Sequence, residues 1–164
     1  KSMLRNRRAV SQPEAFTSGR WRALIPDESI QQPKKVKKIL FCSGKVRWDL
    51  VAAREKEGLE EEVAIFAFER FYPLPDRELA KALGPYGHVK DIRWVQEEPE
   101  NQGGWTFISY HLPRAVKEFL PDRDLVMVPV TRPASSAPSV GLASIHEQEQ
   151  RDLIARAFGP VDKI

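Results

Sequence analysis

Val63-Ala64-Ile65-Phe66-Ala67-Phe68 is a run of six apolar residues with no polar residue between them. Successive side chains of a strand point to opposite sides, so a strand with one wet face alternates apolar and polar residues. A run without alternation fits a strand covered on both faces, the usual condition of a parallel strand between helices. Working outward, Lys38 to Cys42 is a second short apolar strand. His88 to Val95 reads as a third and Leu125 to Val130 as a fourth. Helical signals separate them. Ser43-Gly44-Lys45 turns into a helix with Val46, Leu50 and Ala53 on one face, ending at Gly58. Pro73-Leu74-Pro75-Asp76 resets the chain, and Asp76 is suited to cap a helix running to Leu83. Ser144 to Phe158 is a polar helix with Ile145, Leu153, Ile154, Ala157 and Phe158 as its apolar contacts. The alternation predicts an α/β fold, a mostly parallel sheet with helices on both faces.

Residues 1–33 read differently, as a connecting segment ahead of a domain spanning 34–164. Ser11-Gln12-Pro13-Glu14 has the form of a helix start, with Ser11 as N-cap, and Thr17-Ser18-Gly19 stops that helix early. Pro26 to Pro33 reads as an irregular linker. The chain opens at Lys1 in a basic stretch with no initiator methionine, and it is expected to be a piece of a longer protein.

At 164 residues, 41% hydrophobic and 30% charged, the composition is that of one globular domain with a substantial core. No apolar run approaches the roughly 18 residues that a membrane span needs. The net charge of +3 is unevenly placed: through Arg47, 12 Lys/Arg face 3 Asp/Glu, whereas the remainder carries 14 against 20. Such a basic segment suits a phosphate-bearing ligand or an acidic neighbouring domain. Nucleic acid is not expected, because aromatic residues are not interleaved with the cations as stacking surfaces require. The single cysteine, Cys42, excludes an internal disulfide, fits a reducing compartment and reads as a buried, inert thiol. His88, His111 and His146 are scattered without metal-ligand spacing, so no zinc site is expected.

Three stretches carry candidate chemistry. In Trp94-Val95-Gln96-Glu97-Glu98-Pro99-Glu100-Asn101-Gln102-Gly103-Gly104-Trp105, two carboxylates follow a buried strand, where open α/β sheets meet ligands and partners. Adjacent residues on an extended chain point apart, so Glu97 and Glu98 do not converge on one substrate atom. One is expected to bind loops or a neighbouring subunit, and the other an arginine or solvent. Ser43-Gly44-Lys45 lies at a strand-to-helix handover but lacks the phosphate-loop spacing, so a tight turn is expected over a phosphate cradle. Thr131 to Gly141 is rich in small residues and proline and is expected to cross the sheet end tightly. Its one charge, Arg132, suits either a structural ion pair or a bound phosphate. Neither a nucleophile elbow nor a Ser-His-Asp context is present.

These segments, taken in order, resemble the C-terminal part of the thiamine-diphosphate-dependent decarboxylating component of 2-oxoglutarate dehydrogenase, nearest to its actinobacterial members. Lys1-Ser2-Met3-Leu4-Arg5 resembles that family's Lys-Ser-Leu-Leu-Arg, and Ser43-Gly44-Lys45 with Asp49-Leu50 and Ala52-Ala53-Arg54 its next strand-to-helix turn. Glu69 with Tyr72-Pro73-Leu74-Pro75 resembles Glu-x-Leu-Tyr-Pro-Phe-Pro. Trp94 to Pro99 with Asn101, Gly103 and Trp105 resembles Trp-Val-Gln-Glu-Glu-Pro-x-Asn-x-Gly-x-Trp, the most specific match. Arg132-Pro133-Ala134-Ser135, Pro138, Gly141 and then His146 with Glu149-Gln150 complete the series. Gly104 stands where alanine is usual, and Trp48 where tyrosine is usual.

The resemblance implies a three-layer α/β/α, transketolase C-terminal-like domain in a homodimer, with residues 1–33 ending an upstream pyrimidine-binding domain. It implies a bacterial cytoplasmic enzyme that decarboxylates 2-oxoglutarate and succinylates the lipoyl group of a succinyltransferase component. Thiamine diphosphate and Mg2+ would be held by domains absent from this chain, so no catalytic, cofactor-binding or metal-binding residue is assigned to it. Trp94, Gln96, Glu97, Glu98, Pro99, Asn101, Gly103 and Trp105 are then a structural or interface motif. Two alternatives stand beside this reading. One is a regulatory module binding an acyl-CoA or nucleotide effector through Arg5, Arg20, Arg22 and Arg132. The other is the C-terminal domain of a different thiamine enzyme.

Overall fold

The computed structural model describes residues 3–160, so Lys1 and Ser2 of the opening motif lie outside the described residues. Five strands form one sheet: β1 (Leu24–Ile25), β2 (Lys38–Cys42), β3 (Val63–Phe68), β4 (Asp91–Pro99) and β5 (Val128–Arg132), in the order β1-β3-β2-β4-β5. The neighbours β3-β2, β2-β4 and β4-β5 are parallel, and β1 pairs antiparallel with β3, Leu24 opposite Phe68. The helices are α1 (Glu14–Thr17), α2 (Val46–Glu57), α3 (Asp76–Leu83), α4 (Trp105–Phe119) and α5 (Ala143–Phe158).

Every residue of β2 and β3 is buried, which is why neither run alternates. Ile39, Phe41, Phe66, Phe68, Ile92 and Trp94 face Leu79 and Leu83 of α3 and Ile108, Leu112 and Val116 of α4. From the other side of the same strands, Leu40, Cys42, Ile65, Ala67, Val95 and Val130 meet Val46 and Leu50 of α2 and Leu153 and Ala157 of α5. Each large side chain so buried contributes about 1.5–3 kcal/mol of hydrophobic stabilisation. The result is an α/β/α sandwich, as the alternation predicted. Cys42 is wholly buried, and burial pushes its thiol up to about 12, leaving it protonated at neutral pH.

Several element boundaries differ from the expected ones. The buried face of α2 is Val46, Leu50 and Arg54, an i, i+4, i+8 row, with Ala53 only half-buried. β4 starts three residues later than His88 and runs four residues beyond Val95, because Pro99 still pairs with Arg132 past a register shift. β5 begins at Val128, and Leu125 is buried in the preceding loop. Ser11 does not cap α1, which begins behind Pro13. Asp76 lies in the first turn of α3, its Oδ1 accepting from the Arg77 N–H at 2.7 Å. There a carboxylate also opposes the positive helix end. A whole helix, α4, occupies the stretch between Trp105 and Leu125 for which no element was expected. Its interior Pro113 lacks a backbone donor and argues against a helix there. Ile108, Leu112 and Val116 nevertheless recur at helical spacing and take the burial.

Two buried cations finish the sandwich at the amino ends of the strands. Lys38 Nζ donates to Phe158 O at 2.6 Å and Gly159 O at 2.8 Å, and Arg93 donates to Gly159 O at 2.8 Å and to Arg156 O. They meet the unpaired carbonyls and negative dipole end of α5, with Asp91 binding the Arg93 guanidinium through Nε and Nη2 at 2.8 Å each. Burial and the neighbouring Arg93 charge lower the Lys38 pKa, against the opposing pull of Asp91.

The segment ahead of residue 34 is tied to the sheet. Beyond β1, Asp27 Oδ2 accepts from the Ile65 N–H at 2.8 Å and from the guanidinium of Arg54. Arg54, 4% exposed, also donates to Val63 O at 2.8 Å and Ser29 Oγ at 3.0 Å. Removing one member of a buried, hydrogen-bonded ion pair strands the other charge, at a cost of about 3–5 kcal/mol. Arg54→Ala is therefore expected to lower the unfolding free energy by about that amount in urea titrations. A loss under about 1 kcal/mol, the range of an exposed pair, would disprove the clamp.

Candidate functional site

The chain leaves β2 toward β3 on one side and later returns to lay β4 on the other, so the connections diverge between β2 and β4. In open α/β sheets the crevice outside the carboxyl ends at such a reversal is where ligands bind. Here it is formed by Ser43-Gly44-Lys45 after β2 and by Gln96-Glu97-Glu98 in β4. Gly44 has φ +72°, a left-handed conformation that lets the chain turn sharply into α2. Ser43 Oγ donates to Phe68 O at 2.8 Å, fixing the turn to the end of β3.

Lys45 Nζ lies 2.7 Å from Glu97 Oε1 and 3.0 Å from Asp49 Oδ2. Burial works against its charge, but these two carboxylates prevail and raise its pKa. The Lys45 ammonium is thus neutralised from within the chain, which supports a tight turn and not a phosphate cradle. Glu98 is exposed. The two glutamates part as the pleat requires, one to an intramolecular cation and one to solvent.

The interior of the motif is organised by Gln96, 3% exposed. Its Oε1 accepts from Trp94 Nε1 at 2.9 Å and from the Trp105 N–H at 2.8 Å. Its Nε2 donates to Pro99 O at 3.0 Å and Gln102 O at 2.8 Å. Both lone pairs and both hydrogens of the carboxamide are used. Gly103 has φ +65°, and a Cβ there would approach the Gln96 amide to 3.1 Å. The glycine is needed for its conformation and for the space. The turn then reaches sideways: Asn101 Oδ1 accepts from the Ser135 N–H and Nδ2 donates to Ser135 O, each at 3.0 Å, and Gln102 Nε2 donates to the same carbonyl at 2.9 Å. Residues 133–139 are exposed and held at Ser135, where a tightly threaded crossing was expected.

Arg132, 4% exposed, donates to Glu149 Oε2 at 3.0 Å, His146 Nδ1 at 2.9 Å and Gln150 Oε1 at 3.0 Å. Gln150 Nε2 in turn donates to Asp49 Oδ2 at 3.0 Å. A chain of polar contacts therefore runs from Glu97 through Lys45, Asp49 and Gln150 to Arg132, joining β4, α2, α5 and β5. Of the residues considered for an effector, Arg132 is engaged in this network, while Arg5, Arg20 and Arg22 are exposed on the amino-terminal segment. Arg22 pairs with Glu28 at 2.7 Å. Arg20 and Arg22 border a cavity of about 980 Å³ together with Lys45 and Arg47, whose buried Nε has no partner. Sequence reading missed Lys45 as the partner of Glu97, because only the β2-β4 pairing brings them together.

Thiamine diphosphate with Mg2+ does not fit the residues present. Among the described residues no three His, Cys, Asp or Glu converge to hold a metal ion. Lys45, at the strand-to-helix turn after β2, is already bound by two carboxylates.

Gly104 meets a different constraint from Gly103. A Cβ on it would lie 2.8 Å from Phe71 Cζ and 2.8 Å from Trp94 Cζ2. The resembled pattern has Leu at position 71 and Ala at 104, so a larger ring here accompanies a smaller neighbour. Gly104→Ala is expected to destabilise the fold by about 1–3 kcal/mol, the usual cost of overpacking. Adding Phe71→Leu should recover part of that loss in a double-mutant cycle read by denaturant unfolding. Strictly additive effects would refute the coupling.

A family model described as 2-oxoglutarate dehydrogenase C-terminal matches residues 10–158. The 2-oxoglutarate dehydrogenase E1 component of Azotobacter vinelandii is 39% identical over 158 residues, which cover 96% of this chain and 16% of that protein. A multifunctional 2-oxoglutarate metabolism enzyme of Mycolicibacterium vanbaalenii is 40% identical over 163 residues, covering 97% of this chain and 13% of the relative. The 2-oxoglutarate dehydrogenase E1/E2 component of Corynebacterium glutamicum is 38% identical over 159 residues, covering 96% and 12%. Among solved structures, a split-gene transketolase in an inactive beta4 tetramer has a TM-score of 0.48 at 15% identity, over 84% of this chain and 42% of that one. The chain thus spans at most about a sixth of the curated relatives described here. With the Trp94–Trp105 motif folded as one hydrogen-bonded unit and a family model covering nearly every described residue, this chain belongs to the 2-oxoglutarate dehydrogenase C-terminal family.

Proposed function

We propose that this chain is the C-terminal domain of the thiamine-diphosphate-dependent decarboxylating component of a bacterial 2-oxoglutarate dehydrogenase. The family match over residues 10–158 carries this reading. The whole enzyme decarboxylates 2-oxoglutarate and succinylates the lipoyl group of its succinyltransferase partner in the cytoplasm, as part of the tricarboxylic acid cycle. Residues 1–33 lead from the upstream pyrimidine-binding domain into the transketolase C-terminal-like domain of 34–164, whose sheet and core they join from β1 and Asp27 onward. Thiamine diphosphate and Mg2+ belong to the upstream domains, in keeping with a strand-end lysine, Lys45, already paired with Glu97 and Asp49. Among the described residues no helix is long and apolar enough to cross a membrane.

Within a homodimer, this domain supports the subunit contact and borders the active-site entrance. Exposed groups at the carboxyl edge, Glu98 and the 83%-exposed Tyr72, favour that role. An acyl-CoA or nucleotide effector is a second reading, favoured by the partnerless Arg47 Nε in the cavity bordered by Arg20 and Arg22.

The intact protein, loaded with thiamine diphosphate and Mg2+, is expected to release CO2 from 2-oxoglutarate in a lipoyl-acceptor assay. It should leave 2-oxoisovalerate and a ketose phosphate essentially untouched. Preference for either of the latter would reassign the domain to a different thiamine enzyme. Glu97→Ala removes one carboxylate from a partly exposed ion pair, an interaction worth about 0.2–1 kcal/mol after solvent screening. Because this pair lies within the subunit and acts on the dimer only through the turn it holds, dimer dissociation measured by sedimentation should rise by no more than about fivefold, while turnover of the assembled dimer stays within about twofold. An undisturbed dimer with abolished turnover would reverse the assignment and make Glu97 part of the chemistry.

A further inference from the structure

On the face of the sheet that carries α3, a cavity of about 560 Å³ opens between β1, α3 and the turn that follows it. It adjoins the larger cavity beside Lys45 along Arg20, Trp21 and Arg22. Its walls are Trp21, Leu24, Phe66, Ala82, Pro85 and Tyr86, mostly aromatic or ring-bearing. A volume of a few hundred Å³ with apolar walls and few polar groups is the usual form of a small-molecule site.

Tyr86 is the first polar feature. It is 5% exposed, its ring edge-on to Phe66 at 5.7 Å between centroids. Burial in these surroundings raises the pKa of its phenol, so the hydroxyl remains a donor. That hydroxyl has no hydrogen-bond partner among the described residues, and it is not sealed from solvent-sized space. Water can meet that hydroxyl in the open cavity, and a ligand that displaces the water finds a donor there.

The second feature is the charge at the mouth, contributed by Arg20, Arg22, Arg70 and Lys81 with Asp27 and Glu78. Asp27 is consumed by Arg54, and Arg22 by Glu28 at 2.7 Å. Arg70 lies over the Trp21 ring at 5.6 Å, its Nε donating to Pro73 O at 2.8 Å. Arg20, Arg70 and Lys81 have no carboxylate partner among the described residues, and only Glu78 opposes them. The rim is cationic over an apolar floor.

We infer that this cavity is a binding site for an aromatic carboxylate. Its ring system lies against Phe66, Pro85 and Ala82 within reach of the Tyr86 hydroxyl, and its carboxylate is held at the mouth by Arg20, Arg70 and Lys81. The charge decides against a cationic or neutral aromatic, since a carboxylate gains charge-assisted hydrogen bonds and an ammonium would meet repulsion. Aromatic walls favour a flat ring over a flexible chain, which loses more rotamer freedom on binding. The site does not rest on the dehydrogenase reading, and binding is measured separately from turnover.

Calorimetric titration of the intact protein with indole-3-propionate tests this, with tryptamine as the probe of similar body and opposite charge. Saturable one-site binding is expected, with tryptamine at least about tenfold weaker. Tyr86→Phe, which keeps the ring and its packing, should weaken binding about three- to tenfold, the worth of one hydrogen bond. Arg20→Ala with Lys81→Ala, both on the surface, should weaken it about tenfold or more. Thermal melts matching the unmodified protein would establish that the variants are folded. The inference is overturned if indole-3-propionate fails to saturate, which is the result if another part of the polypeptide or a second copy fills the cavity. Equal affinity for tryptamine, or folded variants that bind as tightly as the unmodified protein, would overturn it as well.

Discussion

A single buried carboxamide holds the carboxyl edge of this sheet together. Gln96 accepts from an indole and a backbone N–H and donates to two backbone carbonyls, so β4, the turn after it and the first residue of α4 close around one side chain. Each of these groups would otherwise be buried without a partner, at about 1–3 kcal/mol apiece, or exposed by opening the turn. The geometry leaves no latitude. Gly103 must be glycine because its backbone is left-handed and the amide lies where a Cβ would go. Trp94 must present its N–H, and it does so from within a cluster of Phe68 and Phe71.

Outward from that amide, the polar residues at the strand ends satisfy one another. Glu97, Lys45, Asp49, Gln150, Arg132, Glu149 and His146 form one continuous set of contacts across four elements. A catalytic crevice needs groups left free to act on a substrate, and these are committed within the chain. At the crevice that in other open sheets receives a ligand, Lys45 is held by Glu97 and Asp49, while Arg47 beside it borders an open cavity. At the amino edge, Lys38 and Arg93 use buried positive charge in the same way to fasten the end of α5.

Much of this was legible in the chain. Two strands without alternation can only be central strands of a covered sheet, and β2 and β3 fall where the apolar runs lie. The Trp94–Trp105 wording marked the key turn, since a motif so dense in tryptophan, amide and glycine reflects a conformation few other residues permit. Adjacent carboxylates on a strand had to diverge, and they do. Other features gave contradictory or faint local signals. Pro113 concealed α4 behind a residue that weakens helices. The two-residue β1 is too short for periodicity to register. β4 runs past Val95 through Gln and Glu, residues whose strand conformation is set by pairing with β5 and by side-chain bonds.

What the sequence determined by itself was the identity of the layers and of the motif, because burial on two faces and left-handed turns restrict which residues occupy a position. What the tertiary structure alone decided was partnership. Lys45 finds Glu97, Asp27 finds Arg54 and Tyr86 is left facing a cavity, through contacts between residues far apart in the chain. No local pattern encodes such meetings: they depend on which strands become neighbours, and that is settled by how the whole apolar surface is best buried.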